Sequence, residues 1–237
     1  EKALRERRRI SHGGITDYYW SPDSARLLFP LQGNLFLYEL EGGSVRQLTD
    51  SDTHETHVSF APDGGYIAFA REQNLWVMAL DGDAPRQLTR HGGGTVAAGV
   101  PEFIAQEEMH RFDGYWWSPD SGHIACFTVD EAPVQTSVRY EIDADDFKVF
   151  EQRYPFTGTP NAHVSVQVID VHSGNVLQLP FEGDSTSYLA RLTWRPDSSG
   201  VAVQVQSRDQ QTLRLDEYSL ESRVTTTLLT ETSATWI

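Results

Sequence analysis

The chain has 237 residues, 39% hydrophobic and 22% charged, with a formal net charge of -15. That length buries one sizeable core or two small ones, and no apolar run approaches the roughly 18 residues that a membrane span requires. The acidic balance excludes a nucleic-acid binder of the ordinary kind, because phosphates would be repelled and no basic stripe forms past Arg9.

In chain order, the stretch from Glu1 to Arg9 reads EKALRERRR, charged, with no apolar segment behind it and no initiator Met. The start is therefore expected to be a cut in a longer polypeptide and not a secretion signal. Two segments in strict register follow. Trp20-Ser21-Pro22-Asp23-Ser24 and Phe60-Ala61-Pro62-Asp63-Gly64 stand forty positions apart, as do Arg46-Gln47-Leu48-Thr49 and Arg86-Gln87-Leu88-Thr89. The opening recurs at Trp117-Ser118-Pro119-Asp120-Ser121 and Trp194-Arg195-Pro196-Asp197-Ser198, each time before a β-prone run.

Within a unit the order is strand, Pro-Asp-Ser/Gly turn, strand, turn, strand, Gly-containing turn, strand. That is a four-stranded antiparallel meander, and a period near forty residues makes it a propeller blade. The expected fold class is all-β, with units at about 15–50, 55–90, 113–180 and 188–230. Four blades are few for a closed ring, and Trp236-Ile237 resembles the opening of another strand. The chain is thus expected to be an arc of a larger propeller, whose raw end faces would self-associate.

Proline presets the turn, aspartate bonds backbone amides across it, and the aromatic two positions before the proline anchors neighbouring sheets. Trp20, Phe60, Trp117 and Trp194 are accordingly expected in the core. Cys126, the single cysteine, excludes an internal disulfide and sits in an apolar strand, which predicts a buried structural thiol. His54-Glu55-Thr56-His57 is one residue short of the helical zinc-protease spacing and lies just before a strand. No metal and no cofactor are expected.

The repeat is interrupted twice. Between the second and third units the Pro-to-Pro spacing grows from forty to fifty-seven, through GGGTVAAGVPEFIAQEEMHRFD. Pro101 followed by Glu102-Phe103-Ile104-Ala105-Gln106-Glu107-Glu108-Met109 predicts a short helix within 100–111, pinned by Phe103 and Ile104. Adjacent carboxylates on a helix sit about 100° apart and can converge on one cation. Glu107 and Glu108 therefore read either as a solvated acidic face beside His110 and Arg111, or as a cradle for an ammonium with three donors, such as a peptide amino terminus. The second interruption, 130–160, carries two alternating stretches, Val138-Arg139-Tyr140-Glu141-Ile142 and Phe147-Lys148-Val149-Phe150, around Asp143-Ala144-Asp145-Asp146. It predicts a protruding hairpin that is either mobile surface or a contact arm for a second subunit.

On these residues the chain resembles the propeller domain of dipeptidyl peptidase IV and its bacterial and cytosolic relatives, in the prolyl oligopeptidase group. The carrying segments are Phe103-Ile104-Ala105-Gln106-Glu107-Glu108-Met109, then Arg111-Phe112, then Gly114-Tyr115-Trp116-Trp117-Ser118-Pro119, similar to the family's double-glutamate helix and Tyr-Trp-Trp strand. Arg153-Tyr154-Pro155-Phe156-Thr157-Gly158-Thr159-Pro160-Asn161 is similar to the segment that closes the family's dimerisation arm. The resemblance implies that Glu107 and Glu108 hold the substrate's amino terminus, with Arg111 and Gln106 supporting them. It implies a homodimer through the 130–160 arm and release of dipeptides by a serine nucleophile on a hydrolase domain. The Gly-x-Ser-x-Gly elbow of that domain is absent here, since Gly183-Asp184-Ser185-Thr186-Ser187 lacks the closing glycine, so this chain alone is expected to be inactive. A propeller scaffold for protein–protein binding, with no peptidase partner domain, is the alternative reading. The compartment stays open between bacterial periplasm and cytoplasm.

Overall fold

A computed structural model of the chain describes residues 14–237 except 16 and 83, and the stretch from Glu1 to Arg9 lies outside the described residues. The first sheet holds β1 (Tyr19–Trp20), β2 (Arg26–Leu31), β3 (Asn34–Glu39) and β4 (Val45–Gln47). The second holds β5 (Thr56–Phe60), β6 (Tyr66–Arg71), β7 (Asn74–Ala79) and β8 (Arg86–Gln87). Next along the chain come β9 (Val96–Ala98), the helix α1 (Phe103–Glu107), β10 (Tyr115–Trp117) and β11 (His123–Asp130). A separate hairpin of β12 (Thr136–Ile142) and β13 (Phe147–Arg153) precedes β14 (His163–Asp170) and β15 (Val176–Gly183). The last sheet is β16 (Ser187–Trp194), β17 (Gly200–Ser207), β18 (Thr212–Ser219) and β19 (Thr225–Thr232). Pairing is antiparallel throughout and, the hairpin aside, follows chain order, so the sheets are four consecutive blades of an all-β propeller.

The opening motif forms its turn for a reason visible in the backbone. Its fifth residue is left-handed in every blade, at φ 58° for Ser24, 72° for Gly64, 61° for Ser121 and 60° for Ser198. The aspartate before it accepts the backbone N–H two residues on, from Ala25, Gly65, Gly122 and Ser199 respectively. Glycine takes that conformation freely, whereas serine brings a hydroxyl with a use. The Ser121 hydroxyl accepts the Asp63 N–H at 3.0 Å and that of Ser198 accepts the Asp120 N–H at 3.1 Å, each bond crossing to the preceding blade.

Strand alternation divides the core among the blade interfaces. Ile67 and Phe69 face the first blade and Ala68 the third; Ile124 and Cys126 face the second while Ala125 and Phe127 face the fourth. Each fully buried aliphatic or aromatic side chain of this kind contributes about 1.5–3 kcal/mol. Cys126 is fully buried, and burial pushes its thiol up to about 12.

Directional hydrogen bonds tie the blades. Trp117 donates its indole N–H to the Ser59 hydroxyl at 3.1 Å, and Trp194 donates to the Trp116 carbonyl at 2.9 Å, each reaching back one blade. On the outer strands the bonds reach forward, from Arg46 to the Leu80 carbonyl at 2.7 Å and from Arg86 to the Val171 carbonyl. Trp20 departs from the expectation of a core anchor, with 51% of its surface exposed. Its motif is the same, but no described sheet precedes the first blade to cover it, whereas Phe60, Trp117 and Trp194 each have one.

Candidate functional site

The first interruption lies inside the innermost strand of the third blade and not between blades. β10 pairs with β11 from Tyr115↔Cys126 to Trp117↔Ile124, and β9 pairs with the same edge of β11 from Thr128↔Ala98 to Asp130↔Val96. The two short strands thus lie end to end along one neighbour, and residues 100–113 leave and return between them. At that neck Gly99 donates its N–H to the Phe127 carbonyl at 2.9 Å, and Phe127 donates its own to the Gly114 carbonyl at 2.8 Å. Gly99 has φ +78°, and a Cβ on Gly114 would sit 2.3 Å from the Val100 nitrogen, so both positions require glycine.

Inside the excursion, α1 is shorter than the sequence suggests, covering Phe103–Glu107 with Glu108 as its C-cap. The reason is His110, which turns the chain at φ +51°. Arg111 then donates its N–H to the Ala105 carbonyl at 2.8 Å, folding the exit back under the helix. Ala105 is the buried residue of the helix, and Phe103 packs edge-on against Tyr154 at 5.0 Å between centroids, at the root of the hairpin arm.

Arg111 is the keystone of the turn. Its Nη2 meets Glu102 Oε2 at 2.7 Å with both side chains buried, its Nη1 donates to the Asp113 carbonyl at 2.8 Å, and its guanidinium lies 4.6 Å over the Phe127 ring. Burial pulls its pKa below the usual arginine value, opposed by the Glu102 charge. Its carboxylate partner is therefore Glu102, the residue at the N-cap position of α1. Gln106 likewise faces inward along the helix, donating from Nε2 to the Pro101 carbonyl at 3.0 Å.

Glu107 and Glu108 stand exposed at the end of α1. Neither carboxylate makes an ion pair or accepts a hydrogen bond among the described residues. The tip of the turn is fixed from the fourth blade, where Arg191 of β16 donates from Nη2 to the Met109 carbonyl. No periodic signal pointed to Arg191, because the bond spans 82 positions and joins two different blades.

The second interruption is a two-stranded ladder, from Thr136↔Arg153 to Ile142↔Phe147, that pairs with no other sheet. Val138, Tyr140, Ile142, Phe147 and Val149 lie on one face of it, each more than half exposed. Its root is fastened by Arg153, whose Nη1 donates to the Val134 carbonyl at 2.6 Å. The His-Glu-Thr-His segment is a polar bracket between the first two blades. Buried Glu55 accepts from the Thr49 hydroxyl at 3.1 Å and from the Ser51 hydroxyl at 2.9 Å, and it pairs with Arg71 at 3.5 Å. No cluster of three or more His, Cys, Asp or Glu suited to a metal occurs among the described residues, and no helix there is long and apolar enough to cross a membrane.

Residues 38–237 match the family described as the dipeptidyl peptidase IV (DPP IV) N-terminal region. The chain is 28% identical over 162 residues to the probable dipeptidyl-aminopeptidase B of Pyrenophora tritici-repentis, a match covering 62% of this chain and 18% of that protein. It is 32% identical over 146 residues to human dipeptidyl peptidase 8, covering 50% of this chain and 16% of that one. The crystal structure of Porphyromonas gingivalis dipeptidyl peptidase 4 superposes with a TM-score of 0.84 at 21% identity, over 97% of this chain and 34% of the other, which establishes the shared fold. The chain thus spans about a fifth or less of the length of these curated relatives.

Proposed function

Because the chain belongs to the dipeptidyl peptidase IV N-terminal region family, we propose that it is the substrate-anchoring, non-catalytic propeller portion of a serine dipeptidyl peptidase. Glu107 and Glu108 hold the free amino terminus of a peptide, and the arc of blades limits access to it. Dipeptides are then released because the distance from this anchor to a nucleophile on a separate hydrolase domain admits two residues. The observation that carries the reading is the pair of adjacent exposed carboxylates, unpaired among the described residues, on a turn held at base and tip. Two neighbouring anions repel, and an ammonium between them removes that repulsion while supplying three donors. Each charge-assisted hydrogen bond contributes about 1.5–3 kcal/mol.

The hairpin arm joins two such proteins into a homodimer, a reading supported by its row of exposed apolar side chains on a ladder with no partner sheet. The anchoring role is tested in the full-length polypeptide with Glu107→Gln and Glu108→Gln. Each substitution is expected to lower kcat/KM for peptides with a free amino terminus by about tenfold or more. Dipeptide release at the unaltered rate in both variants would refute the anchor.

A further inference from the structure

We propose that Arg191 is a positioning residue for the Glu107–Glu108 pair, and that the irregularity in β16 serves to aim it. The register of β16 on β17 steps from Leu189↔Val205 to Arg191↔Gln204, so Ala190 is an extra residue in the inner strand of the fourth blade. Such a bulge leaves its own backbone groups outside the ladder and re-aims the side chain beside it. Arg191 meets both consequences. Its Nη1 donates to the Ala190 carbonyl at 2.8 Å, and its Nη2 crosses the blade interface to the Met109 carbonyl, one residue past the glutamate pair.

The placement carries an electrostatic cost that a purely structural strut would avoid. Arg191 has no carboxylate within 4.0 Å among the described residues, and its charge acts unfavourably on the buried Arg111. A guanidinium supplies a planar fork that bonds two carbonyls at once, whereas an ammonium reaches one as a point charge. The turn therefore has two independent holds. Arg111 with Glu102 fixes its base from the third blade, and Arg191 fixes its tip from the fourth. The orientation of the carboxylates depends on the two blades staying in register with each other.

The functional consequence rests on the amine-anchoring reading, so the test keeps the two apart. The full-length polypeptide carrying 13C-labelled glutamate side chains, with its nucleophilic serine replaced by alanine so that no peptide is consumed, is titrated with Ala-Pro-Ala and with N-acetyl-Ala-Pro-Ala, with Arg191 retained and as Arg191→Met and Arg191→Lys. Amide exchange is followed at Glu108 and Arg111, whose N–H groups close the turn, with the β17–β18 amides as the control for folding. In Arg191→Met the turn amides are expected to exchange roughly tenfold faster and free-amine affinity to fall roughly tenfold, with β17–β18 unchanged and Arg191→Lys recovering only part of either loss.

Unchanged exchange at Glu108 and Arg111 in Arg191→Met would overturn the proposal. Faster exchange with unaltered affinity would also overturn it, leaving Arg191 a strut between blades. If the form with Arg191 retained binds the acetylated peptide as well as the free one, the amine reading fails by itself, and the exchange rates still decide whether Arg191 holds the turn.

Discussion

Arg111 and Glu102, nine residues apart in the sequence, meet at 2.7 Å beneath the turn that carries Glu107 and Glu108, with side-chain exposures of 3% and 9%. A buried pair of this kind costs most when half of it is removed, because the remaining charge is stranded. Glu102→Ala is expected to destabilise the chain by about 3 kcal/mol in urea unfolding. The double change Glu102→Leu with Arg111→Met should cost less than either single change. Equal or additive losses in the double variant would contradict the pair's role.

The neck makes a second prediction. A methyl group on Gly114 has no room at 2.3 Å from the Val100 nitrogen, and backbone on both sides is held by Phe127. Gly114→Ala is expected to cost about 1–3 kcal/mol, the range for overpacking, and to shift the amide resonances of residues 100–113 more than those of the other blades. Native-like stability would show that the strand pieces can slide apart.

The same motif should respond differently in different blades. Trp117→Phe removes the indole bond to Ser59 and is expected to cost about 1 kcal/mol beyond the packing loss. Trp20→Phe should stay within about 0.5 kcal/mol, because half of that ring is exposed and none of its hydrogen bonds is seen among the described residues. Denaturation midpoints of the two variants decide it.

For the arm, Ile142→Asp places a charge on a side chain that is 78% exposed, so the fold is expected to persist. If the arm joins two subunits, sedimentation of the full-length protein should show the dimer lost or weakened while circular dichroism is unchanged. A dimer of unaltered strength would remove the arm from the interface.

Acid stability follows from the turn aspartates. Backbone and hydroxyl donors hold Asp23, Asp130, Asp170, Asp184, Asp197 and Asp209 below the ordinary carboxylate value, as they do Asp120 against a desolvation that opposes them. A depressed carboxyl stabilises the fold above its unfolded pKa of 3.8 and loses that contribution as pH falls through the folded value. His91, lowered by burial, acts in the same direction from about pH 6.5 downward, because the unfolded state takes up its proton first. Glu131, raised by desolvation, works the other way, favouring the fold below its ordinary 4.5 and losing that as pH rises. The net expectation is a slow decline in melting temperature below about pH 6.5 and a steep one below 4, which a calorimetric pH series measures.

The blades were legible because Pro22, Pro62, Pro119 and Pro196 open turns whose next residues need a carboxylate and a left-handed backbone, constraints local enough to recur at a fixed spacing. Burial was less legible, since Trp20 and Trp194 share a motif and differ only in whether a described sheet lies behind them. The neck was hidden by the shortness of Val96–Ala98, three residues next to a glycine run that reads as loop. Arg191 was invisible for a further reason. Its bond depends on a bulge in one blade and a carbonyl in another, and neither leaves a trace in residue type.

The neck at Gly99 and Gly114 uncouples the length of the excursion from everything around it. Both ends are held by the backbone of one residue, Phe127, through its carbonyl and its N–H, so adding or deleting residues between 100 and 113 leaves the inward and outward alternation of β9 and β10 untouched. A blade built this way is a socket. Turns of different length and chemistry could be exchanged there, and the propeller would carry each without renegotiating its own packing.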